Sequence, residues 1–149
     1  MRRTLLFLLL VVFSNINGQI LEWKTSLTDA IEISNKTRKP MLILFTANNM
    51  DGDLQAEVFK TYDFNDWYKK NVVLVRLDLS DSSLLPEVKD SNLKIKNAFG
   101  VQDLPVVCYA KANIRNNRTT FQLLGKVAYD RSGVKNWIRK SNDAINEVE

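Results

Sequence analysis

Three predominantly apolar runs of strand length constrain the fold more than any other feature of this sequence. They are MLILFT at 41–46, NVVLVRLDL at 71–79 and VVCYA at 106–110. A strand with one face in water alternates apolar and polar residues, whereas a strand covered on both faces is apolar almost throughout. The runs therefore predict buried strands of a sheet that carries helices on both faces, with the first run as a central strand.

Helical patterns lie between and around these runs. In the segment after the first strand, the spacing runs through Leu54, Val58 and Tyr62, and Asp51 is placed to cap the helix. Strand 119–125 is predicted to form an antiparallel hairpin with the third run, joined by a longer than minimal loop. The other predicted helices span 25–39, 63–70, 91–100 and 130–148. This order predicts one α/β domain with early parallel crossovers and a terminal hairpin and helix.

The three tryptophans are predicted to belong to the core. Trp23, Trp67 and Trp137 each lie among apolar neighbours at helical or strand-edge spacing. Large aromatic side chains in such positions usually contribute buried area to a core. We therefore interpret them as core residues and not as a recognition platform.

The first residues have the pattern of a secretory signal peptide. Arg2 and Arg3 precede an apolar run from Leu5 to Phe13, which is well short of the ~20 residues that a membrane-spanning helix needs. We predict a signal peptide over 1–18, with cleavage after Ser14 as the alternative. Removing 18 of the 149 residues leaves a mature domain at 19–149. It is expected to be exported to the periplasm or the extracellular space without a transmembrane segment.

The charge of the mature chain argues against nucleic acid as a partner. Subtracting the two leader arginines from 21 leaves 19 basic against 17 acidic residues, a net charge of +2. Nucleic-acid binders concentrate positive charge on one face. Here the basic stretches 36–39 and 135–140 are interrupted by neutral residues, so solvated helix faces explain them.

Several kinds of catalytic and metal site are excluded by composition. Cys108 is the only cysteine and the chain has no histidine, so an internal disulfide, the usual zinc sites and catalytic triads that need histidine are absent. Asp51 and Asp53 could supply oxygen ligands to calcium. The alternating ligands and distal glutamate of a calcium loop are missing, however, and helix capping explains these acids. We predict neither a metal nor a cofactor.

Four segments of the chain carry a family resemblance: NKTRKPMLILFT at 35–46, LQAEVF at 54–59, NVVLVRLDL at 71–79 and AFGVQDLPVV at 98–107. Together they resemble the thioredoxin-like fold superfamily, and more narrowly its exported bacterial members. The resemblance covers about residues 23–140. It implies a three-layer α/β sandwich, with helices on both faces of a central mixed sheet of four to five strands. It also implies that Pro105 is the cis-proline at the head of a strand, facing the redox loop.

The chain departs from this family where the redox chemistry would lie. Active members carry Cys-x-x-Cys between the first long strand and the next helix, because a helix N-terminus stabilises a thiolate. Here the junction 48–53 contains no cysteine, and Asp51 takes the anion-stabilising position. Leu44 replaces the buried acid that many members carry. The departure predicts a protein without the family's thiol-disulfide oxidoreductase activity.

Loss of the thiols does not by itself remove the groove that receives an extended peptide in active members. We predict that the protein binds a protein or peptide partner there, as a scaffolding or chaperone-like module of the cell envelope. A surface without a ligand is the competing interpretation, and the oligomeric state is left open. The candidate contact residues are Asn48, Asn49, Met50, Asp51, Leu104 and Pro105.

Cys108 allows an alternative function. A free thiol could form mixed disulfides, so the protein could remain a redox protein that works through Cys108 or through a thiol on a partner. The neighbours of Cys108 in the third run are apolar, however. A buried cysteine behaves as an inert small hydrophobic residue.

Overall fold

A computed structural model describes residues 20–147, so the predicted leader and both cleavage positions lie outside the described residues. The described chain contains a mixed sheet of four strands in the order β2-β1-β3-β4. β1 is parallel to β2 and antiparallel to β3, and β3 is antiparallel to β4. The strands are β1 (Met41–Thr46), β2 (Val73–Asp78), β3 (Val106–Arg115) and β4 (Arg118–Val127).

Helices cover both faces of this sheet, which confirms the predicted three-layer α/β sandwich. All six residues of β1 are buried. The helices are α1 (Leu27–Thr37), α2 (Gly52–Leu54) with its π-helical continuation Gln55–Phe59, α3 (Tyr62–Asn71), α4 (Pro86–Ala98) and α5 (Val134–Asn146). On one face Leu42 and Leu44 join a core with α2, α3 and α5, and on the other Ile43 and Phe45 pack with α1. Between residues 20 and 147, no helix is both long and apolar enough to cross a membrane.

Several helix boundaries differ from the sequence prediction, most clearly at α4 and at the helix after β1. α4 begins at Pro86 and not at Ser91, because proline is well suited to the first helical turn, where its missing N–H is not needed. The helix after β1 ends at Phe59, and a new helix begins at Tyr62 with Thr61 as its cap. Tyr62 is 78% exposed and belongs to neither core.

The β3–β4 hairpin is tighter than predicted. β3 extends to Arg115, and only Asn116 and Asn117 separate it from β4. Both residues have positive φ, of 50° and 58°. A two-residue hairpin turn of type I′ requires positive φ at both positions, and asparagine tolerates it well. The prediction of a longer loop was therefore wrong.

Candidate functional site

The strand register brings the two halves of the predicted groove to one edge of the sheet. Thr46 and Asp78, the last residues of β1 and β2, are partners in the parallel ladder. Phe45 is the partner of Val106, the first residue of β3. The loop after β1 and the Leu104–Pro105 segment before β3 therefore lie at the same edge. The carboxyl ends of parallel strands, which also lie there, are the usual position for ligands in α/β sheets.

The loop 47–50 is a tight turn whose side chains face solvent. Asn48 and Asn49 have φ values of 48° and 57°, in the left-handed region where asparagine is enriched. The Met50 N–H donates to the Ala47 carbonyl at 2.9 Å, and the Asn48 N–H donates to Ser80 Oγ at 2.8 Å. All three residues from Asn48 to Met50 are exposed. The turn is thus tied to the end of β2 while it presents its side chains outward.

Asp51 does not cap the following helix, which corrects the sequence prediction. The residue stands at the N-cap position, but its side chain makes no capping hydrogen bond. It points inward and is only 2% exposed. Its carboxylate accepts hydrogen bonds from Thr46 Oγ1 at 3.0 Å and from Gln55 Nε2 at 2.8 Å. The carboxylate therefore stabilises the loop through buried hydrogen bonds and is not exposed at the surface.

The charge of Asp51 is compensated by Arg76 on β2. Arg76 Nη2 lies 3.2 Å from Asp51 Oδ1, and the arginine side chain is 32% exposed. A buried carboxylate requires such a partner because water no longer stabilises its charge. Arg76 is also the register partner of Leu44 on β1. The residue opposite the arginine in the neighbouring strand is therefore apolar, and the acid that pairs with Arg76 is Asp51 of the loop.

The sequence interpretation missed Arg76, although a signal was present. Arg76 lies between Val75 and Leu77 in a strand predicted to be buried on both faces. A charged residue in such a position needs an opposite charge nearby. That rule could have indicated a buried ion pair. It could not have indicated which acid supplies the other half.

The second half of the groove lies beside a cis-proline. The Leu104–Pro105 peptide bond is cis, and both residues are partly buried. A cavity of about 330 Å³ adjoins Pro105. Lys126 forms part of its wall and donates from Nζ to the carbonyls of Phe99 and Gly100 at 3.2 and 3.3 Å. A cation is favourable there because these carbonyls lie just beyond the end of α4. The lining residues are Gly100, Val101, Gln102, Asp103, Pro105, Val106, Lys126 and Ala128.

Cys108 lies inside the sheet, three residues after Pro105, and does not line the cavity beside that proline. It is fully buried in the core and stands between Ile43 of β1 and Lys126 of β4 in the strand register. Burial raises the pKa of the Cys108 thiol to about 12, with Lys126 opposing that change. The thiolate is the nucleophile in thiol-disulfide exchange. A buried, protonated thiol is therefore poorly suited to react.

We predict that Cys108 reacts with an aromatic disulfide reagent at pH 8 at least ~100-fold more slowly in the folded protein than in urea. Stopped-flow absorbance measures both reaction rates. Equal rates in the two states would contradict this placement of Cys108.

The pKa of Cys108 is raised from 9.0 to about 12 in the folded protein. The protonated thiol therefore makes its full contribution to the free energy of unfolding below pH 9, and this contribution declines as pH rises toward 12.

The described residues contain no group of three or more His, Cys, Asp or Glu side chains arranged to hold a metal ion. The polar groups at the groove are instead amides, one ion pair, the Lys126 ammonium and the Asp103 carboxylate. These groups can hold a peptide backbone or a polar side chain by hydrogen bonds. None of them is a poised nucleophile.

The sheet order, the helices on both faces and the cis-proline before β3 define an α/β protein of the thioredoxin-like fold. Several solved structures share this fold, including the two that follow. A structure described as "DsbH Oxidoreductase" has a TM-score of 0.69 and 18% sequence identity, covering 91% of this chain and 90% of that chain. A thioredoxin from Thermus thermophilus has a TM-score of 0.62 and 8% identity, covering 85% of this chain and 88% of its own. At these identities the likeness shows the fold alone.

No protein-family model matches the chain, and no curated protein matches it.

Proposed function

We propose that this protein is an exported thioredoxin-fold module that binds a protein or peptide partner and does not exchange thiols and disulfides. The proposed contact surface, called here the loop–proline surface, consists of Asn48, Asn49, Met50, Leu104 and Pro105. The observation that carries the proposal is the burial of Asp51 against Arg76. This pair supports a loop without cysteine at the edge where the family's reactive group would lie.

The exposure of Met50 supports a binding role. Its side chain is 53% exposed, although the backbone around it is fixed by the two hydrogen bonds of the turn. A methionine is flexible and polarizable, so it adapts to different apolar partners. A fixed turn that presents such a side chain loses little backbone entropy on binding.

The cavity beside Pro105 supports the peptide part of the proposal. Its volume of about 330 Å³ lies within the range of ligand pockets. Asp103 and Lys126 line it with opposite charges, and Val106 adds an apolar wall. A side chain of a bound peptide could occupy this cavity while another contacts Met50.

Export is the part of the proposal that rests on the leader 1–18. Expression of the full chain in a bacterial host, followed by mass spectrometry of the envelope fraction, tests it. A mature chain that begins at Gln19 is the expected product. A chain that keeps its leader in the cytoplasm would contradict export.

The partner prediction is that Met50→Ser combined with Leu104→Ala lowers capture of a partner from envelope extract at least ~10-fold. Loss of central apolar anchors commonly costs more than 1 kcal/mol each in an interface. Quantitative mass spectrometry of the captured proteins, with wild-type protein as the reference, measures the loss. Thermal unfolding shows whether the variant is folded.

Leu93→Ser is the matched control, because Leu93 is an exposed leucine on α4 outside the loop–proline surface. It should leave capture unchanged. If the double variant and this control capture the same proteins in the same amounts as wild type, the loop–proline surface is not the contact surface.

Redox activity through Cys108 or a partner thiol is the competing function. It draws on the family resemblance and on the description of one similar structure as an oxidoreductase. Reduction of a model disulfide by the purified mature protein, abolished by Cys108→Ser, would establish it and overturn the proposal. Equal and negligible rates for wild type and Cys108→Ser are the expected result.

A further inference from the structure

A second cavity lies between the end of α1 and β3, at the end of the sheet opposite the loop–proline surface. Its volume is about 230 Å³. Three basic residues line it together with three polar ones and one alanine, and no acidic residue takes part. The lining residues are Ser34, Asn35, Arg38, Lys39, Lys111, Ala112 and Asn113. We call it the basic cavity.

Local structure fixes the α1 side of the basic cavity. Arg38 follows α1 in the left-handed conformation, with φ of 57°. The Lys39 N–H donates to the Ser34 carbonyl at 3.2 Å, and Ser34 Oγ donates to the Lys39 carbonyl at 2.5 Å. These two bonds close the end of the helix and hold the backbone that carries both cations.

The β3 side of the basic cavity is open because β1 is shorter than β3. The ladder between these strands ends at the pair Met41 and Ala110. From Lys111 onward β3 pairs only with β4. Lys111 and Asn113 therefore line space that a longer β1 would fill.

The positive charge at the basic cavity is not neutralised by ion pairs. Five salt bridges occur within residues 20–147, and none includes Arg38, Lys39 or Lys111. Lys39 Nζ donates to the Lys69 carbonyl at 2.6 Å, near the end of α3. Glu22 lines the adjoining pocket together with Lys39 and Lys69 but does not line the basic cavity.

Other basic residues extend the same end of the molecule. Lys36 is in the last turn of α1, and Lys69 and Lys70 are in the last turn of α3. Both helices end beside the first residues of β1 and β2, because the Val73 N–H donates to the Pro40 carbonyl at 3.0 Å. The fold thus places these basic residues, which are separated in the sequence, at the same end of the molecule as the basic cavity.

We propose that the basic cavity binds a phosphate group. The Arg38 guanidinium offers a planar pair of donors that matches a tetrahedral oxyanion, and Lys111 adds a second positive charge. The amides of Asn35 and Asn113 can donate further hydrogen bonds. The phosphate could belong to a free anion or to a phospholipid headgroup. The inference does not depend on the proposed function at the loop–proline surface.

Isothermal titration with pyrophosphate at constant ionic strength tests the cavity. Wild-type protein should bind, and Arg38→Gln combined with Lys111→Gln should weaken binding by about tenfold or more. Lys60→Gln combined with Lys135→Gln removes the same charge from exposed positions outside the cavity and should change affinity less than about twofold. Equal losses in both double variants would mean diffuse charge attraction and would overturn the proposal.

Vesicle sedimentation distinguishes the two sources of phosphate. Ile114 is exposed near the hairpin tip, beside Arg115 and close to Arg118, so it could enter a bilayer interface. If a lipid headgroup is the source, the protein sediments with phosphatidylglycerol vesicles but not with phosphatidylcholine vesicles. Ile114→Ser then weakens sedimentation and leaves pyrophosphate affinity unchanged. If a free anion is the source, only pyrophosphate binds. Binding of neither probe would overturn the proposal.

Discussion

Replacing Asp51 by alanine is expected to lower the free energy of unfolding by about 2–4 kcal/mol. The substitution removes the acceptor for Thr46 and Gln55 and leaves the Arg76 guanidinium without its partner. The value lies below the maximum for a fully buried pair because Arg76 is 32% exposed and water can reach part of it. Urea unfolding followed by tryptophan fluorescence measures the change.

Asp53→Ala is the matched control for this experiment. Asp53 lies two residues away and pairs with Arg131, but both side chains are largely exposed. Exposed ion pairs contribute little, so the expected cost is below about 1 kcal/mol. If Asp51→Ala costs no more than Asp53→Ala, the buried pair does not stabilise the fold. Replacing Asp51 and Arg76 together by leucine should recover part of the loss, because no buried charge then remains unpaired.

The Asp51 pair shows where local sequence rules stop. An acid before a helix satisfies the capping rule, and that rule uses only neighbouring residues. The stronger requirement comes from Arg76, which is 25 positions away in the sequence. The partly buried Arg76 gains more from a carboxylate than the backbone N–H groups at the start of the helix do, since those groups have water as an alternative partner. Nothing in the sequence around either residue indicates that the Asp51 and Arg76 side chains form a pair.

The strands were easier to predict because their signal is burial on both faces. β1 is buried at every position, and its apolar sequence predicted that placement without knowledge of any neighbour. The hairpin turn was not predicted correctly, although adjacent asparagines are typical of a two-residue turn with positive φ. Because the residues on both sides of the turn are mostly polar, the sequence did not indicate that β3 extends to Arg115. Thus the position of β3 was predicted, and its length was not.

The helix after β1 deviates from regular spacing because it changes its hydrogen-bond pattern. The Lys60 N–H donates to the Gln55 carbonyl at 3.0 Å, five residues back, so Gln55–Phe59 forms a π-helical turn. This wider turn brings Phe59 into the core next to Val58. The predicted α-helical spacing through Val58 placed Tyr62 there instead. A π-turn leaves no clear signature in the apolar pattern, so this part of the core could not be predicted from the sequence.

Replacing Phe59 by alanine is expected to cost about 3–5 kcal/mol of stability. Phe59 is fully buried, and its ring centroid lies 5.0 Å from that of Trp23, 4.8 Å from Phe64 and 5.8 Å from Trp137. The substitution would leave a cavity among rings anchored on separate elements, which limits how far the site can collapse. Urea unfolding measures the loss, and Tyr62→Ala is the control, with an expected change within about 0.5 kcal/mol at its exposed position. A larger effect at Tyr62 than at Phe59 would mean that the helix keeps regular spacing and that the π-turn is absent in solution.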